Sequence, residues 1–314
     1  MYIIKYGADY KNIDVTHIVY NKLIKQNIIY IPDGDSNRSS YFTDPLEYVL
    51  KSVFITDPEN NTKKYDHTTK IYIDLNNDKI FTNKDVVPEY IKNIHVNYSE
   101  KLSDIHKNIT IDYGDFSEEY PEQMMAIKNL TGDEKVLEIG GNIGRNSLII
   151  AYILNHKNNN KLVTLESCKN IYQKLLHNKL NNTNLDFFVE NCALSTKPLK
   201  QNRWDTSFYD GSILEKDYEL VNTMTFQELQ EKYQIEFDTL VLDCEGAFYY
   251  ILLDMPEILD NIKLIIIEND FKEEEQKKYF DDTLLNRGFH NSYSEDLIIG
   301  PGNIRKNFYQ VWKK

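Results

Sequence analysis

The chain has 314 residues, 41% of them hydrophobic, enough to bury one sizeable core and a second smaller one. Its formal net charge of −13 repels a nucleic-acid backbone, and no dense Lys/Arg stripe with interleaved aromatics opposes that balance, so DNA and RNA are not expected as partners. The start Met1-Tyr2-Ile3-Ile4-Lys5-Tyr6-Gly7 lacks the form of a signal peptide, no apolar run approaches the roughly 20 residues of a membrane helix, and three cysteines make no disulfide framework; a cytoplasmic setting without a membrane partner is expected.

In chain order, Ile28-Ile29-Tyr30-Ile31, Val49 to Ile55 and Lys70 to Leu75 alternate with turns containing Pro32, Gly34, Asp57 and Pro58, which predicts a small β-rich domain over residues 1–108. The stretch from Pro88 to Lys107 has no clear period and is compatible with helix, strand or connector. After residue 108 strands alternate with helices. Residues 136–139, 162–166, 186–190, 238–243 and 263–268 read as buried parallel strands, and the run Ser147 to Leu154 reads as a helix packed on them. This predicts an α/β fold, a doubly wound, mostly parallel sheet of Rossmann-like type, over residues 109–314. Two last strands near 288–293 and 307–312, separated by Gly300-Pro301-Gly302, predict an antiparallel edge.

Val136-Leu137-Glu138-Ile139-Gly140-Gly141-Asn142-Ile143-Gly144 is a strand that runs into a glycine-rich turn, the beginning of a nucleotide-type cofactor site. Ligands of such sheets sit at the carboxyl ends of the strands. Acids fall there: Glu138 at the end of the first strand, Glu166 at the end of the second, Asp243 of the fourth and Glu268 of the fifth, so four carboxylates are expected on one rim. Glu166 suits hydrogen bonds to two ribose hydroxyls. A single acid in such a place needs no ligand, because a helix N-terminus alone stabilises a carboxylate by about 0.3–1 kcal/mol. Cys168, Cys192 and Cys244 also follow strand ends, but without a Cys-x-x-Cys pair or closely spaced His they read as small partly buried side chains, and no metal is expected.

The block from Val136 to Ala247 resembles the FkbM-type class I methyltransferases, including those of large DNA viruses. Glu138-Ile139-Gly140-Gly141-Asn142-Ile143-Gly144 is similar to that family's Asp-x-Gly-Ala-Asn-x-Gly, Asn191-Cys192-Ala193-Leu194-Ser195 to its third-strand exit, and Asp243-Cys244-Glu245-Gly246-Ala247 to its Asp-x-Glu-Gly-Ala. Glu138 stands where the family has Asp, Gly141 where it has Ala, and Phe248 where it often has an acid. The resemblance implies transfer of a methyl group from S-adenosylmethionine to a hydroxyl. It implies donor contacts at Glu138, Gly140, Asn142 and Gly144, with Glu166 on the ribose, Asn191 and Cys192 beside the adenine, and Asp243 at the reacting end. A positively charged sulfonium agrees with the acid-lined rim.

An alcohol must lose a proton as it is methylated, and Asp243, then Glu245, are the expected general bases. Asp243 could instead hydrogen-bond the donor's amino group, or share a Mg²⁺ with Glu268. Arg203-Trp204-Asp205-Thr206-Ser207-Phe208-Tyr209-Asp210-Gly211 mixes aromatic faces with hydrogen-bonding groups and suits a sugar ring, although an ordinary surface loop has the same composition. A neutral or amino sugar, free or within a glycan, is the expected acceptor. The N-terminal module, with Asp14-Val15-Thr16, Arg38, Asp44-Pro45 and Lys51, is faintly similar to β-rich segments of viral glycan-modifying enzymes; holding the acceptor, forming a homodimer and covering the catalytic domain are all open to it. The competing readings are a binding or scaffold protein that keeps the methyltransferase fold without turnover, and a nicotinamide oxidoreductase.

Overall fold

The computed structural model describes residues 1–94, 97–300 and 303–314, and the chain divides into two compact units, Met1–Asn97 and Tyr98–Lys314. In the first unit, strands Lys11–Asp14, Ile3–Ala8, Ser52–Thr56 and Thr62–Tyr65 form one antiparallel sheet in that spatial order. Ile24–Lys25, Ile28–Ile31, Ile71–Asp74 and Lys79–Thr82 form another. Alternation decides what each sheet buries: Ile4 and Tyr6, Val53 and Ile55, Ile71 and Ile73 all enter one core.

Three of the polar residues singled out in this unit are structural. The Arg38 guanidinium donates to the carbonyls of Pro32, Asp66 and Thr69, and the Lys51 ammonium is paired with Asp35 at 2.8 Å and Asp44 at 2.9 Å. Both cations are buried, and a buried charge is tolerated only when it is paired or hydrogen-bonded in this way.

The Pro88 to Lys107 stretch contains helices Glu89–Ile94 and Tyr98–His106. The second unit therefore begins at Tyr98, ahead of position 108. Leu102 and Ile105, three residues apart on one helix face, lie in that unit's core, a signal that the many charged neighbours obscure.

The second unit is built on a seven-stranded sheet. Its strands are Val136–Ile139, Leu162–Leu165, Phe188–Glu190, Thr239–Leu242, Leu264–Glu268, His290–Gly300 and Asn303–Lys313, and their spatial order is third, second, first, fourth, fifth, seventh, sixth. The first five are parallel; the last two pair antiparallel and are longer than their sequence pattern indicates, and residues 301 and 302 of the expected Gly300-Pro301-Gly302 separation lie outside the described residues. The sheet is a Rossmann-like, mostly parallel α/β sheet, as expected. Leu137, Ile139, Leu240, Leu242, Ile265 and Ile267 face one helix layer. Val136, Leu162, Val241 and Ile266 face the other, where helices Tyr98–His106, Tyr120–Asn129 and Arg145–Asn155 pack. No helix among the described residues is long and apolar enough to cross a membrane.

Candidate active site

The first strand pairs with the second on one side and the fourth on the other, so the strand order reverses at its carboxyl end, where a crevice opens in such sheets. A cavity of about 370 Å³ lies there. Its floor is the turn after the first strand. Gly140 has φ +92°, and a Cβ on it would fall 1.6 Å from the carbonyl oxygen of Asp243, so only glycine lets these two strand exits touch.

Glu166 is the best-prepared ligand group in the cavity. One carboxylate oxygen accepts from the Asn142 backbone N–H at 3.0 Å and the other from the Cys168 N–H at 2.8 Å. Each oxygen retains a free acceptor position, the number two vicinal hydroxyls need. Burial outweighs those two bonds and pushes its pKa up to about 7. Gly140, Asn142, Cys192 and Asp243 line the same cavity. Burial, assisted by the Glu190 charge, raises the Cys192 thiol to about 12, so it presents a neutral surface.

Three expected donor contacts are elsewhere. Glu138 points away from the cavity: its neighbours Leu137 and Ile139 face one layer, so alternation turns it into the other, where it accepts from Ser147 Oγ at 2.5 Å and Thr164 Oγ1 at 2.7 Å. Gly144, with φ +93°, starts helix Arg145–Asn155 and does not line the cavity. The Asn191 side chain donates to the backbone carbonyls of Glu166 and Ser167, so it braces the second strand's exit.

The four acids accordingly divide. Glu166 and Asp243 line the large cavity, while Glu138 and Glu268 face a small chamber behind Gly140, which Asp243 also borders. Burial and then the charges of Glu119, Glu122, Asp270 and Glu245 hold Asp243 well above the usual carboxylate range. Burial, a hydrogen bond shared with Glu122 and the Asp243 charge push Glu268 up to about 12. Glu245 sits at the cavity wall with φ +53°, followed by Gly246 at φ +78°; two left-handed residues in succession aim a side chain in a direction that regular backbone cannot. Its carboxyl is raised by burial and by Asp270, against Arg305 and Lys272.

At the mouth of the cavity, strands Leu199–Asn202 and Asp205–Phe208 form a hairpin that carries Trp204 and Phe208. Trp204 is 53% exposed, so it is not tucked beneath a surface loop but presents an open face to the cavity. Phe208 meets Tyr250 edge to face, with centroids 6.3 Å apart. Tyr250 escaped sequence reading because it lies in an apolar helix that looks wholly structural, as did Glu119, whose side chain accepts from Asn142 Nδ2 at 3.0 Å and from Arg145 at 2.8 Å. Among the described residues, Asp243, Glu268 and Asp270 form the one cluster of potential metal ligands.

Residues 138–290 match the family model described as the methyltransferase FkbM domain. The match covers just under half of the chain. S-adenosylmethionine is the methyl donor that this family indicates. No curated protein matches the sequence. Among solved structures, the FkbM methyltransferase of Methylobacillus flagellatus KT is 9% identical, with a TM-score of 0.42 over 69% of this chain and 58% of its own. An O-methyltransferase from Bacillus cereus in complex with SAH is 13% identical, with a TM-score of 0.40 over 72% of this chain and 96% of its own. A precorrin-6y C5,15-methyltransferase from Geobacter metallireducens is 9% identical, with a TM-score of 0.42 over 66% of this chain and 94% of its own. At such values the similarity extends no further than fold.

Proposed function

We propose that residues 98–314 of this chain transfer a methyl group from S-adenosylmethionine to a hydroxyl of a neutral or amino sugar, free or within a glycan, and that residues 1–97 are an accessory domain. The observation that carries this reading is the arrangement of Glu166. Its two anchored oxygens face a cavity that also contains the Gly140 turn, Asn142, Cys192 and Asp243. The donor supplies a methyl group on a positively charged sulfur. The bare Gly140 backbone would lie under its amino-acid portion and Glu166 would take the ribose hydroxyls, with the Cys192 surface beside the base.

Asp243 is the first candidate for the base that takes the acceptor's proton and Glu245 the second; both line the cavity. A carboxyl crowded by four like charges keeps its proton until a positive charge comes near, so cationic donor and ionised Asp243 favour one another. Trp204, Phe208 and Tyr250 give the acceptor apolar faces at the cavity mouth. Holding the acceptor oxygen opposite the leaving sulfur supplies much of the rate of such a displacement.

Calorimetric titration of the full chain with S-adenosylmethionine and with its demethylated product tests the donor. Transfer of labelled methyl to a panel of neutral, amino and polyanionic sugars tests the acceptor. Binding of NAD or NADP without binding of S-adenosylmethionine would end the methyl-transfer reading, donor binding without turnover of any acceptor would favour a scaffold, and equal turnover of polyanionic acceptors would end the charge argument.

A further inference from the structure

A second groove adjoins the donor cavity. It has a volume of about 690 Å³ and shares Trp204, Glu245 and Lys272 with the cavity of about 370 Å³, so those three side chains stand at a junction. The smaller space is near the lower end of what one bound small molecule occupies, about 300–1,000 Å³, and a donor lying in it leaves little room for an acceptor. The bulk of the acceptor then belongs in the groove.

The groove runs between two hairpins. On one side Trp204 and Asp205 come from the hairpin of strands Leu199–Asn202 and Asp205–Phe208. On the other side stands the pair His290–Gly300 and Asn303–Lys313. Glu268, the last residue of the fifth parallel strand, pairs with Tyr309, while Leu297 pairs with Arg305 and Ile298 with Ile304, so residues 303–308 overhang the carboxyl edge of the sheet. Arg305, Lys306 and Phe308 of that overhang form the second wall. Asn269 ties wall to floor: its backbone N–H donates to the Phe308 carbonyl at 2.7 Å and its Nδ2 to the Asn307 carbonyl at 2.9 Å. A groove braced in this way is formed before any ligand arrives, which spares an ordering cost on binding.

The lining carries charges of both signs, close together. Arg305 is paired with Asp270 at 2.9 Å, and Lys272 on the floor stands 3.8 Å from Asp205 on the first wall. Interleaved in this way, they offer hydrogen-bond donors and acceptors side by side, which matches a chain of hydroxyls. They give neither a polyanion nor a polycation a field to follow. A peptide anchors through apolar side-chain pockets, and among the described lining residues only Trp204, Phe271 and Phe308 are apolar.

We infer that the acceptor is an oligosaccharide rather than a single sugar. The unit to be methylated sits at the junction, against the open face of Trp204, and the neighbouring units run along the groove between the hairpins. This rests on the sugar-acceptor reading above and adds the size of acceptor that the site takes. A hydroxyl presented at the junction meets Glu245, which borders both spaces; Asp243 lines the cavity but not the groove. In the transfer the hydroxyl oxygen bonds the methyl carbon, the carbon–sulfur electron pair leaves with the sulfur as a neutral thioether, and the hydroxyl proton passes to a carboxylate.

The test is transfer of labelled methyl from S-adenosylmethionine by the full chain to an array of neutral and N-acetylated glycans of one to six units, with a library of unstructured peptides beside it. A rise in kcat/KM of at least tenfold from one unit to four is expected in the glycan series that is methylated. Lys306→Ala and Glu274→Ala, at exposed positions on the wall and floor, should each cut that rise at least threefold. Equal kcat/KM for one unit and four would overturn the inference and leave the sugar reading standing. Methylation of no glycan, or of peptides alone, would overturn both. A rise with length that neither variant reduces would put the further units outside this groove and overturn the inference as well.

Discussion

Glu166 carries a folding cost that one substitution isolates. Burial holds its carboxyl at about 7, above the ordinary 4.5, although the backbone N–H groups of Cys168 and Asn142 pull the other way. An acid whose native pKa is raised contributes stability that is fully present below its unfolded-state pKa and is lost as pH rises through the native value. At about 1.4 kcal/mol for each pH unit between the two, the ligand-free protein loses about 3 kcal/mol across this window and no more above it. Glu166→Gln removes the ionisation. Urea denaturation of variant and wild type at intervals from pH 4 to pH 8 should show the stability difference moving by about 3 kcal/mol in the variant's favour, on top of a pH-independent offset from the altered hydrogen bonds. Affinity for S-adenosylmethionine at pH 8 should move the other way. A hydrogen bond to a charged acceptor contributes about 1.5–3 kcal/mol, so a loss of about tenfold or more is expected in calorimetry. A stability difference that stays flat with pH would refute the buried-charge reasoning, and an unchanged dissociation constant would refute the ribose placement.

Glu138→Gln should leave the donor dissociation constant within about threefold of wild type, because Glu138 faces Ser147 and Thr164 rather than the large cavity; a tenfold loss in the same calorimetric titration would return it to the donor site. Asp243→Ala should lower turnover by about 10²–10⁴ at saturating donor, as loss of a general base does; wild-type rates would remove it from that role. Trp204→Ala should raise the acceptor KM by several-fold, up to about tenfold, with kcat and donor affinity little changed, since an aromatic contact contributes about 0.5–1.5 kcal/mol beyond its buried area. A fall in kcat alone would place Trp204 at the reacting centre instead.

The five parallel strands of the second unit were legible because each is a short apolar run closed by polar or glycine residues, and observed strands such as Val136–Ile139 and Leu264–Glu268 begin and end within a residue or two of those runs. The helix Tyr98–His106 was not legible: only Leu102 and Ile105 are buried in it, too few for a period to emerge from its charged surface. Glu166 lines the cavity because the strand ends one residue before it, which frees it from the strand's alternation. The roles of Arg38 and Lys51 could not be read at all, since the carbonyls and acids that satisfy them come from separate turns of the chain.

Alternation and register together account for how the acids are shared between the large cavity and the chamber behind Gly140. Glu138 pairs with Val241 and with Thr164 across the sheet, and all three belong to the face that carries helices Tyr120–Asn129 and Arg145–Asn155. Asp243 is two residues beyond Val241, and Glu268 two beyond Ile266, so both continue that same face to the carboxyl ends of their strands, where Glu268 still pairs with Tyr309. The helices covering that face contribute Glu122 and Asn146. Sequence spacing alone puts these acids at strand ends, where any one of them suits a ligand in the crevice. Only the pairing of strands far apart in the chain shows that Asp243 and Glu268 are neighbours on the side away from the Glu166 carboxylate. Asp243 reaches both spaces because the bare backbone of Gly140 leaves no side chain between them. A substitution at Gly140 would therefore disturb donor cavity and acidic chamber together, whereas Glu166 and Glu268 can each be altered to address one space alone.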